Sequence, residues 1–357
     1  MIFTKLSYLR TFKPADHTHR SASPQPHRTA MTITRTLATS LMSLSTAALF
    51  TLASAGGATA APPAPDTRDV AGVSSTRTAG TDADYWTPDR MKAAIPGDVL
   101  ARKAMQRQKA SNAHTGEAVS KGAESKIKGS EPSVQPLANA SENPVPHIGK
   151  VFFTLGGADY VCSANSVAST NRNTVSTAGH CLNEGPGAFA TRFTFVPAYL
   201  NGSAPYGKWS AKALYAPTQW SSSGSMQYDT GFAVMSQLNG RNLADVVGAS
   251  GVRFNAARGL SYKAFGYPAA APFNGESLKS CSGTATNDPY NPQFNTQGIP
   301  CNMTGGSSGG PWFIGTSSGG YQNSVNSYGY GSNSTKMYGP YWGSVIQSAY
   351  NAAASSY

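Results

Sequence analysis

Charge is scarce in this 357-residue chain: Asp, Glu, Lys and Arg make up 13% of it, about half the usual quarter. Cysteine is limited to four residues and histidine to six. Beyond one N-terminal stretch, no run approaches the roughly 18 apolar residues of a spanning helix. These shortages, with the 37 Gly and 23 Pro, exclude a coiled coil and a helix bundle, and no spanning helix follows the N-terminal stretch. Gly and Pro still stay below low-complexity levels, and 39% apolar residues can supply a core, so the chain is not disordered throughout. There is no C-x-x-C spacing, and only His147 and His180 share a segment with the cysteines, which argues against a metal site.

The formal net charge is +11, and it divides almost evenly. Residues 1–143 carry 17 Lys/Arg against 11 Asp/Glu, and residues 144–357 carry 11 against 6. In the second segment the cations stand singly, without the stripe that phosphate binding uses, so no nucleic-acid partner is expected.

At roughly 150 residues per domain the length suggests two or three domains, but the composition divides differently. From Met31 a short Arg-bearing start (MTITR), an uncharged stretch over 36–57 and Ala58-Thr59-Ala60 form a secretory signal peptide, residues 31–60. Residues 1–30 are an upstream extension, read as a start codon assigned too early or as a leader. Residues 61–143 are polar, lack Cys and have few aromatics, a composition that buries little. They read as a propeptide, largely disordered. Tyr85-Trp86-Thr87-Pro88 opens a helix there, with Pro in its first turn, and the later run over 101–131 shows no clear apolar face. The expected destination is extracellular, with no membrane attachment once the signal is removed.

Residues 144–357 change character. Strand-like runs bounded by Gly, Pro, Asn and Ser fall into two groups of six. The first is 150–155, 160–169, 174–178, 192–200, 209–216 and 230–238; the second is 246–254, 261–268, 278–286, 300–304, 310–314 and 322–329. Only 345–353 has helical spacing, with Val345, Ile346, Ala349 and Tyr350 on one face. This is an all-β domain closed by a C-terminal helix, and periodicity alone leaves sandwich and barrel open. An even cysteine count in an exported chain implies two disulfides, for which three pairings exist. The sequential one, Cys162–Cys181 with Cys281–Cys301, closes two local loops and is the pairing adopted.

Catalytic candidates are few. His180 ends the run Thr174–Cys181 at a small-residue turn beside a cysteine, where a general base would be held rigidly. Asp229 directly precedes the apolar run Gly231–Met235, so it is carried toward the core and needs a partner such as a His N–H. In Thr304-Gly305-Gly306-Ser307-Ser308-Gly309-Gly310-Pro311-Trp312, glycines on both sides of a serine let N–H groups converge, and those of Gly306 and Ser308 can form an oxyanion hole. The run continues into a buried-strand pattern and is no flexible linker.

T-A-G-H-C, then Asp before an apolar strand, then G-x-S-G-G-P, in that order, resembles the chymotrypsin-like (trypsin-fold) serine peptidases over about residues 145–357. The resemblance implies two six-stranded antiparallel β-barrels with a cleft between them. It implies His180 as base then acid, Asp229 as its orienting partner and Ser308 as nucleophile, and it supports the Cys162–Cys181 pairing. No cofactor is implied. Ser307 stands where pancreatic-type members carry the Asp that receives a new N-terminus. The Thr304–Gly309 arrangement resembles secreted bacterial members, including glutamyl endopeptidases, which use a propeptide. Asn302 occupies the position of the tryptic Asp, and Asn326 that of the glutamyl-type His. Asn302, Thr304, Asn326 and Ser327 are therefore expected near the specificity pocket. The reading is a secreted serine endopeptidase, expected as a monomer, with protein or peptide substrates and its own propeptide as partners. A catalytically silent binding protein on the same fold and an esterase using the same triad are the alternatives.

Overall fold

The computed structural model describes residues 69–74, 81–110, 122–130, 144–331 and 333–357; the expected signal peptide and upstream extension lie outside the described residues. The N-terminal segment supplies β1 (Val70–Ser74), α1 (Thr81–Tyr85), α2 (Pro88–Ala93), β2 (Ile95–Pro96), α3 (Asp98–Ala110) and β3 (Ser125–Ile127). Thr87 caps α2 by accepting a hydrogen bond from Arg90 N, with Pro88 at the first helical position, as the sequence predicts.

The first half of the following domain contains β4 (Ile148–Leu155), β5 (Ala158–Ser166), β6 (Thr174–Thr177), β7 (Thr191–Pro197), β8 (Trp209–Pro217), the short helix α4 (Thr218–Ser223) and β9 (Gly231–Met235). The order β8-β7-β4-β5-β6-β9 closes through β8–β9 pairing into a six-stranded antiparallel barrel. Every residue of β4 is buried. One face enters the barrel core with Val151, Phe153 and Leu155; the other carries Ile148 and Phe152 into a second cluster with Trp86, Met91, Phe265 and Phe313. A strand covered on both sides has no reason to alternate in polarity, and this one carries Val151, Phe152 and Phe153 in succession.

The second half contains α5 (Leu243–Val247), β10 (Gly251–Phe254), β11 (Ser261–Gly266), β12 (Lys279–Thr284), β13 (Thr286–Asn287), β14 (Gln297–Pro300), β15 (Pro311–Ile314), β16 (Tyr321–Val325), β17 (Lys336–Gly339) and α6 (Ser344–Ala354). Its strands form a sheet of order β12-β11-β15-β16-β10-β3 and a three-stranded sheet β13-β14-β17. The expected second barrel is thus built as two sheets. Where β12 meets β14, Gly283 faces the Pro300 ring, and a proline has no N–H to continue a ladder. Helix α6 docks Val345, Ile346, Ala349 and Tyr350 on the first half, as its spacing predicts.

The run over 98–110 departs from expectation. Ala101 and Ala104 are 1% exposed and Met105 8%, all within the main core cluster, so α3 does have an apolar face, at i, i+3, i+4 spacing. β1 adds antiparallel to β8, and β2 adds parallel to β5. Among the described residues no helix is long and apolar enough to cross a membrane.

Candidate active site

Three elements converge at the seam between the halves. β6 pairs with β9, Thr177 opposite Gly231, so the residues flanking that pair, His180 and Asp229, leave the barrel at the same end. His180 lies in a single tight turn, Gly179–Cys181, and Cys181 is bonded to Cys162 on β5. Gly179 is required there, because a Cβ would stand 2.9 Å from the Trp220 ring. Asp229 is fully buried and accepts from His180 N at 2.8 Å, pairs with His180 Nδ1 at 2.8 Å, and accepts from Ser327 Oγ at 2.5 Å. Both the backbone and the ring of His180 are gripped by one carboxylate, which leaves Nε2 as the free ring nitrogen.

The loop joining β14 to β15 carries Ser308. Gly306 and Gly309 have φ of +95° and +79°, and a Cβ on Gly309 would stand 2.1 Å from Thr177 Oγ1; only glycine fits. That close approach sets Ser308 beside the His180 turn. The loop is braced from both halves: Ser163 N donates to Ser308 O at 2.7 Å, Ser163 Oγ to Gly306 O at 2.9 Å, and Gly309 N to Asn326 O at 2.8 Å. Among the described residues no hydrogen bond engages the N–H of Gly306 or Ser308. His180 Nε2 is buried without a partner. A basic nitrogen, a hydroxyl and two free N–H groups are the parts that acyl transfer needs; the hydroxyl-to-Nε2 bond is one that tightens only on substrate binding in many such sites.

No family model matches the chain. Among solved structures, it is similar to the protease Anisep from Arthrobacter nicotinovorans, 83% identical over 60% of this chain and 99% of that one, with a TM-score of 0.60. It is also similar to the thermostable serine protease AL20 from an extremophilic microorganism, 53% identical over the same shares, with a TM-score of 0.58. The chain belongs to the chymotrypsin-like serine peptidases. Among curated proteins it matches the extracellular metalloprotease of Bacillus subtilis (strain 168), 34% identical over 106 residues, and spans 33% of that protein's length. Among the described residues the one group of atoms suited to holding a metal ion is Cys162, His180 and Cys181. Its two sulfurs are bonded to each other and its Nδ1 is committed to Asp229, so these donors do not fit a metal ion.

Both disulfides of the peptidase, Cys162–Cys181 and Cys281–Cys301, pair as the sequence predicts. The four expected pocket residues divide. Thr304 and Ser327 line a cavity of about 490 Å³ that opens beside Ser308. Asn302 is exposed and does not line it. Asn326 is fully buried behind the serine loop, donating to Phe265 O and Ser307 O and accepting from Trp312 Nε1. Its amide holds the loop's shape and faces no ligand. Ser163, whose hydroxyl and amide hold the Ser308 loop, carries no sequence signal, because its partners lie on the far side of the seam.

Helix α3 covers this region. Gly97 N donates to Val161 O at 2.9 Å, and a Cβ on Gly97 would stand 2.4 Å from Cys162 Sγ. Arg107 donates to Glu184 O and Gly185 O, and Gln108 Oε1 accepts from Met226 N. Asp98 and Arg102, paired with each other, share the cavity wall with Thr304 and Ser308. His180 is left 1% exposed and Ser308 4%.

Proposed function

We propose that the chain is an exported serine endopeptidase made as a proenzyme, in which Ser308 is the nucleophile, His180 the general base and acid, and Asp229 the residue that orients it. The observation that carries this reading is the double grip of Asp229 on His180, which leaves Nε2 as the unengaged ring nitrogen at the strand end where Gly309, next to Ser308, packs against Thr177. Ser308 Oγ attacks the carbonyl carbon of the scissile peptide, and its proton passes to Nε2. The N–H groups of Gly306 and Ser308 receive the oxyanion. Collapse expels the amine, which takes the proton from Nε2 and leaves an acyl-enzyme. Water then repeats the sequence, giving its proton to Nε2 and releasing the acid and Ser308.

Residues 61–143 are the propeptide in this reading, and α3 is its inhibitory part, because it packs against the Gly179–Cys181 turn and shares the cavity wall with Ser308. In support, the 60% of this chain that matches the solved proteases is the length of residues 144–357. The substrates are proteins or peptides met outside the cell, where the two disulfides are stable.

A fluorophosphonate probe tests the assignment. It should label N-terminally processed protein on Ser308, lose the label in Ser308→Ala and keep it in Ser307→Ala. Absence of labelling in folded, processed protein would overturn the reading.

A further inference from the structure

With the acyl carbon on Ser308 Oγ and its oxygen at the Gly306 and Ser308 N–H groups, the side chain on the acyl side of the scissile bond needs a place beside Ser308. That place is the cavity beside Ser308, between the Thr304–Ser308 loop and Ser327–Gly329. Its chemistry follows from what each lining group is already doing.

Among the described residues the only charged ones on its wall, Asp98 and Arg102, belong to α3 and are paired with each other; in the proposed reading they leave with the propeptide. The part contributed by residues 144–357 then carries no charge among the described residues. It has hydroxyls, but their protons are committed inside the protein. Thr304 donates to Ala270 O at 2.6 Å, Ser307 to Thr304 O at 2.7 Å and Ser334 to Lys336 O at 2.6 Å. Ser327 donates to Asp229, and Tyr328 to the buried Asp288 at 2.6 Å. Burial, with the Tyr330 ring and the Asp288 carboxylate nearby, pushes the Tyr328 phenol well above its ordinary value, so that proton stays in place. Met303 and Met337, 5% and 6% exposed, form an apolar floor continuous with the core of the second half.

We infer that the mature pocket selects an uncharged apolar side chain of the size of Leu, Met or Phe, and that Met303 and Met337 determine this selection. The inference rests on the proposed catalytic reading. Among the described residues an acidic side chain finds no free side-chain donor in the pocket and a basic one no carboxylate, so either charge would lack a charged partner beside two thioethers, which is costly. Thioether side chains adapt their shape, so the pocket tolerates branched, linear and aromatic apolar groups together.

The test is a peptide series varied only at the acyl-side residue, cut by the processed protein. Leu, Met and Phe should exceed Glu, Asp, Lys and Arg in kcat/KM by at least about tenfold. Met337→Lys should bring Glu and Asp up relative to Leu; where that variant does not fold, the ranking by the unaltered enzyme decides. A preference for Glu or for Lys and Arg, or a flat profile, overturns the inference. Fluorophosphonate labelling of the same preparation separates the two readings. Labelled protein with a charged preference refutes the pocket alone, whereas unlabelled protein refutes the catalytic reading and the pocket with it.

Discussion

If α3 holds the proenzyme silent, weakening its seat should switch on the uncleaved chain in proportion to the energy removed. Met105 is the residue to shorten. It is 8% exposed in the main core cluster, while its neighbour Lys103 on the same helix is exposed. Met105→Ala removes three heavy atoms from a packed site, and burial of a Met side chain stabilises by about 1.5–3 kcal/mol. Taking about 2 kcal/mol, and a tenfold change per 1.4 kcal/mol, the uncovered fraction should rise about 30-fold. The assay is the initial rate of fluorophosphonate labelling, read on the full-length band so that any self-processing is excluded. Lys103→Ala should label at the wild-type rate, and Gly97→Ala, which drives a methyl into Cys162 Sγ, should behave as Met105→Ala does. Processed protein has lost the helix, so it should label equally fast whatever the residue 105 of its precursor. Should intact wild-type chain label as fast as processed protein, or Met105→Ala as slowly as wild type, α3 does not block the site.

Two further predictions concern groups the motifs do not single out. Ser327→Ala removes the hydroxyl that donates to Asp229; a hydrogen bond to a charged group is worth about 1.5–3 kcal/mol, so steady-state kinetics should show kcat falling at least about tenfold with KM little changed. An unaltered kcat would mean that this bond does not help to position the pair. Lys150 is buried against the Phe152 and Tyr199 rings, with Gly275 O as its acceptor, and desolvation, partly offset by Glu276, lowers its pKa to about 8 from the ordinary 10.5. Between those values the folded state holds fewer protons than the unfolded one, so stability should rise with pH through that window, by a total of about 3 kcal/mol. Denaturant titrations of Lys150→Met should find it more stable than wild type at neutral pH and without that rise; an unchanged slope would refute the account.

How far the sequence could be read depended on how far away each residue's partners lie. Strands β4 to β9 were legible because their pattern is local and bounded by turns. The run over 246–254 was expected as one strand, yet its first residues end helix α5 and Gly248 turns the chain before β10. What favours the helix is remote: buried Asn173 accepts from Leu243 N at 2.8 Å and caps it across 70 residues, and such a contact overrides the β preference of paired valines. β17 escaped notice because four residues beside a Gly- and Ser-rich stretch carry no period. Helix α3 escaped because its buried face is two alanines and one methionine, too small a signal against seven polar neighbours. Asn326 shows the opposite error. Family resemblance set it beside the pocket, whereas its amide, with all three partners inside the protein, could serve only as a brace.

The position of Ser308 explains why the site straddles the two halves. A nucleophile loop with glycines at positive φ has little conformational preference of its own, so its shape must be imposed from outside. Here the first half imposes it through Ser163, and the second through Asn326, each using side-chain and backbone groups together. Asp229 is likewise held from both sides, by the His180 turn of one half and by Ser327 of the other. On the proposed reading, the base and the nucleophile are therefore registered to each other by contacts from both halves, and the seam is the element that would align them. That also accounts for where α3 binds. If α3 is the inhibitory part of a propeptide, a cover laid across the seam, with Gly97 just before it touching Val161 and the Cys162–Cys181 bond on one side and α3 sharing the Thr304–Ser308 wall on the other, would seal the catalytic groups without disturbing the contacts that keep them aligned, so its removal would expose a site already assembled.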